Sequence, residues 1–163
     1  YEMSDAQALV DAVTDSREHL EPWMPWIKFE PQSVVQREVL ISTWSEAWDD
    51  RTEFVMGIFL GDRVVGGTGL HLRGDIKTVE IGYWLHVDYL GRGIASQVAG
   101  ALTELAFATW LEIDTVEIHH DLRNESSAAV PQRLNFERVE TVNRERQAPS
   151  EVGVLVRWIK RRD

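Results

Sequence analysis

The chain has 163 residues, 44% of them hydrophobic and 27% charged, with a formal net charge of −10 and no cysteine. That length supports one domain with a sizeable core, and the absence of cysteine excludes disulfides, thiolate-ligated zinc and a cysteine nucleophile. The acidic balance argues against a nucleic-acid partner, and no apolar run reaches membrane-spanning length.

The opening "YEMSDAQALV" has no basic region leading into an apolar segment, so it does not read as a secretion signal. A cytoplasmic protein is expected. Residue 1 is not Met, so the expectation is that a short upstream segment has been cut away.

Ser4 followed by Gln7 reads as a capping box. With Ala6, Leu9, Val10 and Val13 at helical spacing, it predicts a helix over about 4–19. "PWMPW" (Pro22 to Trp26) interrupts it. Ser33 and Gln36 form a second box, and Leu40, Trp44, Ala47 and Trp48 carry a second helix to about Asp49. Three strand-like runs follow, "FVMGIFL", "VVGGTGLHL" and "TVEIGYWLHV". Gly61-Asp62 and Gly74-Asp75 separate them as hairpin turns. A helix is predicted from about Arg92 to Trp110, then the strand "TVEIHH", the short helix "SSAAVPQRL", and strands over 136–144 and 152–160.

The order ααβββαβαββ describes a single α+β domain over 1–163. Its sheet is mixed and mostly antiparallel. The βαβ unit at 79–120 requires one parallel strand pair. The basic "RWIKRRD" at the end reads as a solvated strand end.

Two constellations carry chemistry. "LGRGIAS" puts Gly91 and Gly93 where a strand turns into a helix. A helix N-terminus offers unpaired N–H groups and partial positive charge, and glycine lets an anion approach the backbone, so a phosphate or pyrophosphate is the natural ligand. The spacing is neither that of a P-loop nor that of the three-glycine dinucleotide fingerprint. A turn needed only for chain reversal is the bland alternative. The second constellation is "HHDLRNESSAAVPQRLNF", with Asn124, Ser127 and Leu134-Asn135-Phe136.

From Glu80 to Phe136 these motifs resemble the GNAT acetyltransferases, and within them the Rim-type branch that acetylates protein N-termini and small amines. Glu80-Ile81-Gly82-Tyr83-Trp84-Leu85, then Asp88-Tyr89 with Gly91, Gly93 and Ala95, then Asn124, Ser127 and Phe136 follow that branch in order and spacing. "SREHLEPWMPW" resembles it too. The resemblance implies a GNAT fold whose parallel strands splay, and a first strand lying ahead of Tyr1. It implies acetyl coenzyme A as donor, its pyrophosphate held by the backbone of Arg92, Gly93, Ile94, Ala95 and Ser96. The pantetheine arm would pair with Leu85, His86 and Val87, and a backbone N–H near Val87 would polarise the thioester carbonyl.

The implied catalytic residues are Glu80 as general base, with Asp121 as competitor, and Ser127 as acid. Glu80 read blandly is a strand-edge glutamate, and Ser127 a helix N-cap. Asn124 would contact pantetheine or fix its loop. Trp23 and Trp26 would form an aromatic lid over the acceptor, whereas Trp44 and Trp48 read as core. Three features depart from the pattern, the first being Leu90, where the family often has Gln or Arg although the Rim-type branch tolerates an apolar residue. Asn135 replaces a glycine but tolerates left-handed backbone, and Pro131 falls just past the first turn if its helix starts near Ser126.

Three motifs are discounted. His119 and His120 point to opposite faces of a strand and are poorly placed to share a metal. Arg73-Gly74-Asp75 lies where a hairpin turn is needed, and the Asn124-Glu125-Ser126 sequon has no export signal.

The expected activity is therefore direct acetyl transfer to a primary amine on a protein N-terminus or a small molecule. The alternatives are a non-catalytic acyl-coenzyme A sensor on the same fold and a phosphate-binding module for another nucleotide. A homodimer through an edge strand or a helix is compatible with the sequence.

Overall fold

The computed structural model describes residues 1–72 and 77–162. The Gly74-Asp75 turn and the Arg73-Gly74-Asp75 tripeptide therefore lie outside the described residues. The first predicted helix divides. A 3-10 turn, Met3–Asp5, precedes α1 (Ala6–Asp15), and α2 (Arg17–Leu20) follows. The Ser4–Gln7 box is not made, because Ser4 lies inside the turn. Instead the Glu2 N–H donates to Asp5 Oδ2 at 2.7 Å, and Gln7 donates to Asp11 at 2.8 Å. The break falls at Ser16, which is fully buried, and its hydroxyl accepts the Val87 N–H at 3.1 Å. The second predicted helix is α3 (Val34–Asp49), and its Ser33–Gln36 capping box is present in both directions.

Six strands form one sheet: β1 (Glu53–Leu60), β2 (Arg63–Leu72), β3 (Thr78–Leu85), β4 (Thr115–Asp121), β5 (Glu137–Asn143) and β6 (Val154–Arg161). They are ordered β1-β2-β3-β4-β6-β5, and every pairing is antiparallel except β3 with β4. Between that parallel pair runs α4 (Ile94–Thr109). Then α5 (Glu125–Arg133) links β4 to β5.

Strand alternation gives the sheet two unlike faces. One carries Phe54, Leu70, Val79, Ile81, Val116 and Ile118, which pack against Ala99, Leu102 and Ala106 of α4 and Val130 of α5. Ala99, Leu102 and Ala106 recur at helical spacing; burying the leucine contributes about 2 kcal/mol and each alanine methyl about 0.8 kcal/mol. The other face is covered by a second cluster from α1 and α3, among them Leu9, Val13 and Ile41. Toward β3 and β4 this face changes character. Glu53, His71, Glu80 and Glu117 stand in register across β1 to β4, and Gly67, Gly69 and Gly82 lie beside them. A cavity lined by Glu53, His71, Glu80, Gly67, Gly69 and Gly82 opens on this polar, glycine-floored part.

Candidate active site

The parallel pair is short. β3 and β4 are in register only from Thr78–Thr115 to Glu80–Glu117, although β3 runs on to Leu85 and β4 to Asp121. Past Glu80 the two strands part, so the Ile81–Leu85 backbone has β2 on one side and no strand on the other among the described residues. An extended ligand can supply the missing strand there.

At the far end of that cleft the chain turns into α4. Gly91 and Gly93 have φ of +70° and +77°, and Gly93 is the N-cap. A Cβ would meet nothing within 4 Å at Gly91, so backbone conformation, and not crowding, demands glycine there. Leu85, Gly93, Ile94, Ala95, Ser96 and Asn124 line a cavity of about 410 Å³. The Ser96 hydroxyl is buried there without a hydrogen-bond partner. A buried polar group is costly unless paired. An orphaned hydroxyl beside free helix-terminal N–H groups suits the phosphate oxygens of coenzyme A.

Of the residues expected to hold the cofactor, His86 and Val87 do not line this cleft, and Arg92, expected to act through its backbone between Gly91 and Gly93, turns its side chain away. The His86 N–H donates to Val65 O at 2.9 Å, and the Val87 N–H is taken by Ser16. Both amides are spent within the fold, so the strand edge left without a partner strand among the described residues is Ile81–Leu85. The Arg92 side chain turns onto the Tyr89 ring, 4.9 Å from its centroid, and bonds Asp88 O at 2.7 Å. In the other direction, Arg133 at the end of α5 reaches the cleft, and no sequence signal marks it, because a cation in a last helical turn has an ordinary reason to be there.

Ser127 is not the helix cap. Asn124 is the N-cap of α5, and its Oδ1 accepts the Ser127 N–H at 3.1 Å. The Ser127 hydroxyl instead meets the Tyr83 hydroxyl at 3.2 Å. Burial pushes the Tyr83 phenol up to about 12, so it stays protonated at neutral pH. An aromatic on a strand reads first as packing, so nothing in the local sequence marks Tyr83 as a neighbour of Ser127.

Three cavities meet at Tyr83. The cofactor cleft holds Ser127. A cavity of about 380 Å³ holds both Ser127 and Glu80, beneath Trp23 and Met24. A third, of about 660 Å³, holds Glu80 and is walled by Trp26, Trp44, Trp84 and Tyr1. Trp23 thus stands over the junction, and Trp26 packs edge-on against Trp84 at 5.9 Å in the third cavity. Trp44 serves both core and cavity wall, whereas Trp48 packs edge-on against Phe54 at 5.0 Å. The 144–151 loop closes the middle cavity from the other side, where Ser150 N–H donates to Pro22 O at 3.0 Å.

The carboxylates differ in state. Glu80 Oε1 lies 3.6 Å from His119 Nδ1, and His119 Nε2 is 2.8 Å from Glu117. Burial alone would raise the Glu117 carboxyl, but His119 and Arg157 together hold it below its usual range. Asp121 is 3% exposed. Burial would raise it as well, yet N–H bonds from Arg123, Val152, Gly153 and Val154 leave it lowered. A carboxylate so fully engaged is a weak base, and its position ties the start of β6 to the end of β4. His120 is held by Asp121 O and the Trp158 indole, separately from His119.

A splayed strand pair, a glycine-capped helix start beside it and cavities meeting at one hydroxyl pair define an enzyme that grips an extended phosphate-bearing carrier and delivers its end group to a second substrate. The family model for the acetyltransferase (GNAT) domain matches residues 1–137, and the chain belongs to the GNAT acetyltransferase family. It is an N-acetyltransferase, with acetyl coenzyme A as acetyl donor.

Over 136 residues the chain is 28% identical to YdaF of Bacillus subtilis (strain 168), provisionally named a ribosomal N-acetyltransferase, covering 83% of this chain and 74% of YdaF. A crystal structure described as that of an acetyltransferase superposes with a TM-score of 0.89 at 26% identity, covering 99% of this chain and 89% of the other. RimL bound to coenzyme A shares the fold, with a TM-score of 0.86 at 20% identity over 99% of this chain and 90% of its own. No helix among the described residues is long and apolar enough to cross a membrane.

Proposed function

We propose that the acceptor is the α-amino group of a protein or peptide chain end, with Glu80 as general base and Ser127 as the donor to the leaving sulfur. The observation that carries this reading is the placement of the two residues about Tyr83. Glu80 lines the acceptor-side and middle cavities, and Ser127 lines the middle cavity and the cofactor cleft. The family resemblance of YdaF, with its ribosomal name, supports a protein acceptor over a small amine.

Acetyl coenzyme A would supply the thioester carbonyl, with coenzyme A as the thiol leaving group. The Gly93–Ser96 turn and Ser96 Oγ hold its phosphates, Asn124 fixes the α5 start, and the open Ile81–Leu85 edge orients the pantetheine arm. Glu80 takes a proton from the acceptor nitrogen as it attacks. The Ser127 hydroxyl, oriented by Tyr83, donates to the sulfur. Trp23 and Trp26 exclude water from the acceptor side. The test is thiol release from acetyl coenzyme A with tetrapeptides bearing N-terminal serine, alanine or methionine, beside a polyamine. Turnover of a peptide, lost roughly 100-fold or more in Glu80→Gln and Ser127→Ala with coenzyme A binding intact, is expected. Preference for the polyamine, or variants as active as the parent, overturns it.

A further inference from the structure

The polar face holds a second base that neither motif nor resemblance singles out. His71 of β2 stands in register with Glu53 of β1 and Glu80 of β3. Its Nδ1 lies 3.0 Å from Glu53 Oε1. A carboxylate accepts, so Nδ1 carries the ring proton and Nε2 presents the lone pair. The ring lies flat along the sheet because two neighbours have no side chain. A Cβ at Gly69 would come within 2.9 Å of His71 Nε2, and one at Gly82 within 3.3 Å. Nε2 has no hydrogen-bond partner among the described residues. His71, Gly69, Gly82 and Glu80 all line the cavity of about 660 Å³.

We propose that His71, oriented by Glu53, is a further catalytic residue whose Nε2 takes the first proton from the acceptor ammonium. This rests on reading that cavity as the acceptor site. An ammonium must lose two protons to become an amide, and Glu80 can carry only one at a time. His71 takes the first and passes it to water at the cavity mouth, where the Glu53 side chain is 42% exposed. The freed lone pair forms the C–N bond while Glu80 takes the second proton. The C–S bond breaks with its electron pair on sulfur, and the sulfur is protonated through Ser127, which is resupplied from Glu80 through water. Ammonium and thioester thus give amide, thiol and one proton to solvent. Among the described residues, the other titratable side chains lining this cavity are Glu80 from β3, Tyr1, and the Glu30–Arg37 pair, which neutralises itself at 2.5 Å. None of these cancels the Glu53–His71 geometry.

The test compares parent, His71→Gln, Glu53→Gln and Glu80→Gln between pH 6 and 9.5, using whichever tetrapeptide the parent acetylates best. His71→Gln should be roughly 20-fold slower at pH 6.5, where only a few per cent of an α-amine is already neutral, and within about threefold of the parent at pH 9, where it has shed its own proton. Glu53→Gln should follow the same trend with a smaller loss, and Glu80→Gln should be slow at every pH. Nitrogen-15 NMR of the histidine rings, assigned by the signal lost in His71→Gln or shifted in Glu53→Gln, should show the Nδ1–H form in the parent and a mixture in Glu53→Gln. A pH-independent ratio for His71→Gln, or an Nε2–H ring in the parent, overturns the proposal. If the parent transfers acetyl to no peptide, the acceptor reading fails and this proposal with it; turnover with a flat His71→Gln ratio removes only this proposal.

Discussion

The Tyr83 hydroxyl replaces a helical hydrogen bond that Pro131 cannot make to Ser127. Pro131 is the seventh residue of α5 and has no N–H to give the Ser127 carbonyl four positions back. Tyr83 donates to that carbonyl at 3.2 Å and meets the Ser127 hydroxyl at the same distance. The proline is therefore deeper in the helix than its sequence position suggested, and the vacancy it leaves docks the tyrosine. Tyr83→Phe should lower kcat about tenfold, the equivalent of roughly 1.4 kcal/mol, and reduce stability by about 1 kcal/mol. Steady-state kinetics and thermal unfolding measure the two separately. Unchanged kcat would mean that Tyr83 only packs.

Ser96→Ala should separate ligand binding from stability. The hydroxyl is buried and unpaired in the protein alone, so removing it should leave the melting temperature unchanged or slightly higher. The melting shift produced by coenzyme A should shrink, by the free energy of one lost charge-assisted bond, about 1.5–3 kcal/mol. An undiminished shift would place the phosphates elsewhere.

Gly93→Ala acts on backbone. With φ at +77° and, among the described residues, no neighbour nearer than the Gln97 side chain at 4.0 Å, an added methyl meets strain and not a clash. A loss of about 1–2 kcal/mol in unfolding free energy is expected, together with weaker coenzyme A binding because the amides shift.

Asp121 makes acid stability a measurable property. Its folded carboxyl titrates below its usual range, so its contribution is fully present above the unfolded value and is lost as pH falls through the lowered folded value. Asp121→Asn should cost roughly 2 kcal/mol at neutral pH and flatten the fall in stability below about pH 4. Equal acid sensitivity in both proteins would refute the assignment.

Gly67→Ala should affect the acceptor alone. A Cβ there would come 2.4 Å from the Trp84 indole nitrogen and 2.9 Å from the Tyr1 hydroxyl. The indole must move into the cavity. The acceptor KM should rise several-fold while the coenzyme A dissociation constant stays within about twofold, read by titration calorimetry.

Local chemistry was legible wherever it acts over a few residues. The Ser33–Gln36 box, the left-handed Asn135 at φ +56° and the glycine turn into α4 are each decided by neighbours in the chain, and each was read correctly. The element order followed from hydrophobic period. Readings failed where a distant partner intervened. Ser16 breaks the first helix and serves an amide 71 residues away. Asn124 takes the cap from Ser127, whose hydroxyl goes to a tyrosine 44 residues earlier. Asp121 reads as a free acid at a strand end until four N–H groups converge on it.

By itself the sequence determined the class of domain, the glycine turn into α4 and the identity of Glu80 and Ser127 as residues to examine, since patterning and spacing are local. Only the tertiary structure decided that β3 and β4 part after Glu80, that the site is three cavities joined at Tyr83, and that the His71 ring lies over Gly69 and Gly82 with Glu53 behind it. The reason is register. A strand's neighbours, and hence the partners of each side chain on its face, are set by pairing with residues far along the chain, and no local pattern encodes them.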